Sequence, residues 1–284
     1  DTYVQIKENK LHELKKEARK TPPFSVERYN LNNDIYLEYK AYSSDSALHY
    51  LNENMLLARQ LNDKERELKI QLELSYLLSS IGMYMEAADI LNSIDRQTLP
   101  SSLLGHYYTC YEHVYFEAGA AQPRYKMFAS RYVKLSHAYR DSMQITLDPS
   151  SATYLWLRET QLRGAGKYDE ALEFSDRRLA ESSFGTPQYA LVAYQRFRLF
   201  ESMGKKDEHL YYLVLSAISD VRSAIKEQSS LMVLAQELNS KGDLKRAYDY
   251  INFSWEISQF YKTRLRSWMN ITPLILPPSM MSQP

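Results

Sequence analysis

The 284-residue chain carries 35 basic and 35 acidic side chains, so no global field draws it toward nucleic acid or anionic lipid. Its 44% hydrophobic and 25% charged content excludes an intrinsically disordered chain, and its length suffices for one large domain or a repeat array with a continuous core. Only 8 glycines, few valines and many Leu, Ala, Glu and Lys point to helices rather than strands. The single cysteine, Cys110, rules out an intramolecular disulfide. The longest apolar run, Leu210 to Ile218, is too short to span a bilayer. The chain begins at Asp1 without a methionine, from which we expect a processed or excised piece with any signal peptide or membrane segment outside it.

In chain order, residues 1–20 (DTYVQIKENKLHELKKEARK) predict an amphipathic helix that ends before Pro22 and Pro23. SVERYNLNNDIYLEYKAY and DSALHYLNENMLLARQL predict a helical hairpin with Ala47 as its small residue and no glycine. A second hairpin turns at Gly82, after QLELSYLLSSIG. HYYTCYEHVYFEAG and RYKMFASRYVKLSHAYRDSM predict a third, with Gly119 as hinge and AAQP as a longer turn. YLWLRETQLRGAG and YDEALEFSDRRLA continue the pattern around Gly166, and similar turns follow at Gly204 and Gly242. Residues 267–284 are broken by prolines and read as an irregular tail, and no independent second domain is expected.

A shared phrase joins three of these turns: Gly82-Met-Tyr84-Met-Glu-Ala87, Gly166-Lys-Tyr168-Asp-Glu-Ala171 and Gly242-Asp-Leu244-Lys-Arg-Ala247. A weaker copy at Gly204 has His209 in place of the alanine, and glycines 166, 204 and 242 recur at a step of 38. Glycine ends one helix in a left-handed conformation, the chain turns, and the small alanine lets the second helix approach closely. The phrase GKYDEAL resembles the turn of the tetratricopeptide repeat. In that family's register, Leu78, Leu162 and Leu238 are large first-helix residues, and Leu91 and Ile251 are second-helix core residues. The step of 38 exceeds the family's 34, which predicts longer helices or fuller loops. The implied fold is all-α, a right-handed superhelix of about five hairpins over residues 21–266, with residues 1–20 packed on the array.

DSALHYLNENMLLARQL (45–61) and residues 209–266 also resemble a family of membrane-anchored regulators of Bacteroides and relatives. In those proteins a repeat domain outside the cytoplasmic membrane is followed by one transmembrane helix and a cytoplasmic output part. The resemblance implies a periplasmic sensory ectodomain, regulatory in role, with a glycan signal plausible for some relatives. It also implies that any membrane contact is made by a segment outside these residues.

The chemistry-bearing residues fit that reading better than catalysis. His106, Cys110, His113 and Glu117 form one helical stripe, but His106 and His113 lie about 10 Å apart along the axis. Zinc ligands stand only about 2.0–2.3 Å from the ion, so a straight helix cannot bring both histidines to one metal. The six histidines show no HExxH spacing, and no phosphate-binding glycine loop or nucleophile elbow is present. Cys110 has no evident oxyanion hole or orienting group beside it. Carboxylates interleave with Lys and Arg in segments such as NDKERELK, the pattern of solvated helix faces. The expectation is no enzyme, no metal and no cofactor.

In tetratricopeptide folds the first helix of each pair lines the binding face. Counting back from each glycine, the resemblance assigns His106, Thr109, His113 and Phe116 to that face, then Trp156, Thr160 and Arg163, then Tyr194, Arg198 and Glu201. Aromatic, cationic and imidazole groups suit stacking on, and hydrogen bonding to, an oligosaccharide, a peptide or a partner protein. Tyr107, Tyr108, Tyr111 and Tyr115 adjoin the histidines and are expected to pack within the hairpin. The alternative function is a protein–protein scaffold with no small ligand, and a homodimer is left open.

Overall fold

The computed structural model describes residues 2–121, 126–226 and 229–261. Among these residues it is all-α, thirteen helices packed as consecutive antiparallel pairs behind a leading helix. The order is α1 (Thr2–Lys20), α2 (Val26–Tyr39), α3 (Ser44–Gln60), α4 (Lys64–Ser80), α5 (Tyr84–Ser93), α6 (Ser101–Ala120) and α7 (Lys126–Thr146). There follow α8 (Ala152–Gly164), α9 (Tyr168–Ala180), α10 (Pro187–Ser202), α11 (Lys206–Arg222), α12 (Ser230–Ser240) and α13 (Leu244–Tyr261). They form two compact units that divide between Gln161 and Leu162, inside α8. The expected tail at 267–284 and part of the AAQP turn lie outside the described residues.

In the first unit α1 buries Leu11 and Ala18. It is held on α2 by Lys7 and Lys10, which bind Glu38 at 2.7 and 2.6 Å, and by Lys15 Nζ, which donates to Tyr39 Oη at 2.7 Å. Ser25 caps α2 by accepting from the Arg28 amide at 3.1 Å. The main core of this unit joins α4 to α8 through Leu72, Leu91, Tyr111, Val114, Met143 and Leu157. Each fully buried aliphatic side chain of this kind contributes roughly 1.5–3 kcal/mol. Tyr107, Tyr108 and Tyr111 are buried, and Tyr111 stacks on Tyr139 of α7 with centroids 4.6 Å apart. The second unit centres on Phe197, Leu213, Ala217, Leu231 and Leu234, with a smaller cluster of Leu162, Ala171 and Leu199. Ala47, Ala87, Ala171 and Ala247 are all buried, the small residues of their hairpins.

The turns explain the repeat phrase. Gly82, Gly166, Gly204 and Gly242 take φ of 88°, 74°, 71° and 81°. The next amide closes each helix on the carbonyl five residues back, as Met83 does on Leu78 and Lys167 on Leu162, each at 2.9 Å. Asn62 and Ala224 take φ of 52° and make the same closure, Asp63 on Ala58 and Ile225 on Asp220, both at 2.9 Å. Neither turn carries the glycine signal.

Gly119 does not act as a hinge. Helix α6 runs through it to Ala120, and Gly119 is buried against α7, where a Cβ would stand 3.4 Å from Tyr132 Cβ. Gly105, one face along the same helix, would place a Cβ 2.7 Å from Leu147 Cδ2. Both glycines of α6 therefore serve close helix approach rather than a left-handed turn.

Candidate functional site

The first helices of the first three hairpins, α2, α4 and α6, converge on one carboxylate. Glu73 of α4 accepts from Tyr36 Oη at 2.6 Å and Lys40 Nζ at 3.1 Å, and His106 Nε2 stands 3.6 Å from its other oxygen. Burial pushes the Glu73 pKa up, but the Lys40 charge, the His106 imidazole and the Tyr36 hydrogen bond outweigh it, and the pKa is lowered. Burial acts the opposite way on His106: it lowers the imidazole pKa despite the attraction of Glu73, so the ring is neutral at pH 7. Lys40 Nζ also lies 4.6 Å from the Tyr76 ring centroid.

Beside this carboxylate, Tyr76 and His113 stack at 3.9 Å with planes 8° apart. His113 Nε2 meets Ser80 Oγ at 2.9 Å. Lys40, Glu73 and His106 side chains keep 33%, 18% and 27% of their surface, so the cluster is ordered by neighbours yet open to a ligand. Cys110 is buried, and its thiol donates to Leu72 O at 3.3 Å. Burial, then the nearby Glu73 charge, pushes that thiol well above its ordinary range, away from nucleophilic chemistry. Among the described residues no three His, Cys, Asp or Glu side chains converge to hold a metal ion.

The remaining assigned residues fall into separate places. Thr109 turns its hydroxyl back onto Gly105 O at 2.8 Å. Phe116 is 49% exposed, and half-buried Trp156 lies on the main core. The two share Arg140 of α7, whose guanidinium is 5.8 Å from one ring and 5.9 Å from the other. Buried Glu112 fixes that guanidinium at 2.7–2.8 Å and also accepts from Ser136 Oγ at 3.0 Å. Thr160 and Arg163 are half-buried on α8. In the second unit, Tyr194 packs on Phe197, and the exposed Arg198, 5.9 Å from the same Phe197 ring, pairs with Glu201 at 2.8 Å. Glu201 borders a cleft of about 400 Å³ with Lys205, His209, Glu237 and Lys241.

Sequence reasoning missed Tyr36, Lys40, Glu73, Tyr76 and Ser80. Tyr76 precedes Gly82 by six residues, as Thr160 precedes Gly166 and Arg198 precedes Gly204, so the same register extended to the second hairpin finds it. Tyr36 belongs to the hairpin that lacks a glycine, but it precedes the small residue Ala47 by eleven positions, as Tyr76 precedes Ala87, so counting from the alanine finds it; Lys40, at the end of α2, stays off that register.

The model of the SusR N-terminal TPR domain matches residues 1–271. The chain belongs to the SusR N-terminal tetratricopeptide-repeat family. SusR is a membrane-anchored regulator of Bacteroides, and the family is not known to be catalytic. No curated protein sequence matches the chain. Among the described residues of this family member, no helix is long and apolar enough to cross a membrane.

Proposed function

We propose that the chain is the periplasmic sensory part of a membrane-anchored regulator, a non-catalytic module that recognises an oligosaccharide or peptide on the face of α2, α4 and α6. The observation that carries this reading is the convergence of Tyr36, Lys40 and His106 on Glu73, next to the stacked rings of Tyr76 and His113. A fixed carboxylate, a neutral imidazole, an ammonium and flat aromatic faces are the equipment for binding hydroxyl- or amide-rich ligands. Phe116 and Trp156, bridged by Arg140, extend the surface within the same unit, and Tyr194, Arg198 and Glu201 form a separate candidate on α10. Family membership supports the regulatory role and the periplasmic location.

A second reading, a scaffold for protein partners, draws on Met127, Phe128 and Val133, which stand exposed on α7. Thermal-shift screening against oligosaccharide and peptide panels separates the two. A stabilising ligand supports the sensor, because binding to the folded state alone raises its melting temperature. Silence across both panels favours the scaffold.

A further inference from the structure

A second site lies away from the Glu73 cluster, in a cleft of about 150 Å³ among α1, α2 and α3. Each helix contributes a pair of residues one turn apart: Lys15 and Arg19 from α1, Arg28 and Asn32 from α2, His49 and Glu53 from α3. The spacing aims all three pairs at the same volume. Three permanent cations face one carboxylate there, an excess of two positive charges before His49 is counted. We propose that this cleft binds a divalent oxyanion of the phosphate class.

The cationic groups are held but not consumed. Arg28 Nε donates to Thr21 Oγ1 and its Nη2 to Thr21 O, both at 2.9 Å, which fixes the guanidinium fork and leaves Nη1 for an anion. Lys15 spends one of its three donors on Tyr39. Arg19 makes no hydrogen bond or ion pair among the described residues, and Glu53 forms no ion pair with any of the cations. Asn32 is only 6% exposed as a residue and borders the cleft, and its carboxamide makes no hydrogen bond to the protein among the described residues. Its N–H is therefore left to the cleft, where an oxyanion seated between Arg19 and Arg28 accepts it. A dianion cancels the excess charge, where a simple carboxylate leaves half of it. Glu53 then suits a hydroxyl on the bound group.

The test is titration of the protein with inorganic phosphate, by calorimetry and thermal shift, against sodium chloride at matched ionic strength. Phosphate is expected to stabilise beyond chloride. Arg19→Gln, at an exposed position without a partner, is expected to weaken binding about fivefold, and Glu53→Gln to tighten it by a similar factor. Stabilisation no greater than that of chloride, or an affinity that both variants leave unchanged, overturns the proposal. Sedimentation with phosphatidylcholine vesicles containing phosphatidic acid separates the sources. Pelleting that Arg19→Gln abolishes assigns the site to a lipid phosphate, and phosphate binding without pelleting assigns it to a soluble one.

Discussion

The imidazole of His113 lies flat on the ring of Tyr76, 3.9 Å away, and this contact joins the first helices of two successive hairpins. Because Ser80 holds the same imidazole at 2.9 Å, the histidine has one orientation and its exposed edge is fixed. A double-mutant cycle of Tyr76→Ala and His113→Ala should therefore give a coupling of about 1 kcal/mol in chemical denaturation. Additivity of the two single substitutions would show that the stack carries no energy.

Acid should destabilise the fold in two windows. His106 has a lowered pKa when folded, so stability falls as pH drops below its ordinary 6.5, where the unfolded chain binds the proton first. Glu73, also lowered from its ordinary 4.5, adds a second loss at lower pH, as protonation removes the partner of Tyr36 and Lys40. Denaturation midpoints measured across pH 3–8 should show His106→Gln flattening the upper window and Glu73→Gln the lower one.

How far the sequence spoke is visible at individual residues. Gly82, Gly166 and Gly242 announced their turns, since a left-handed helix end favours glycine and the phrase after it repeats. Gly119 misled because glycine also serves close approach, and only the packing of α7 on α6 tells the two uses apart. Asn62 and Ala224 adopt the same turn with ordinary side chains and leave no mark in composition. The register puts His106, His113 and, extended to the second hairpin, Tyr76 on first helices. Glu73 and Lys40 escape it: Glu73 looks like any carboxylate of a charged helix, and Lys40 meets it across 33 residues of chain.

Ala224 carries the cost of a left-handed backbone at φ 52°. Ala224→Gly relieves roughly 1–2 kcal/mol of steric strain, offset by about 0.4–1 kcal/mol of extra chain entropy when unfolded. The net expectation is a gain of about 0.5–1 kcal/mol in denaturant unfolding. Gly82→Ala, at φ 88°, should move stability in the opposite direction by a similar amount or more.

Arg140 is the main counter-charge of buried Glu112, at 2.7 Å. Arg140→Met strands that carboxylate and should cost about 3 kcal/mol. Adding Glu112→Gln removes the buried charge and should restore part of the loss. A single and a double variant of equal stability would contradict the pairing.

The central claim is that the α2–α4–α6 face reads the signal. Its most direct test is the affinity of a stabilising oligosaccharide or peptide for the wild-type domain and for Glu73→Gln and His113→Ala. If ligand hydrogen bonds and stacking are made there, each substitution should weaken binding about tenfold, the equivalent of roughly 1.4 kcal/mol, with the folded state intact by circular dichroism. A ligand that binds both variants as tightly as the wild type would place recognition elsewhere and contradict the account.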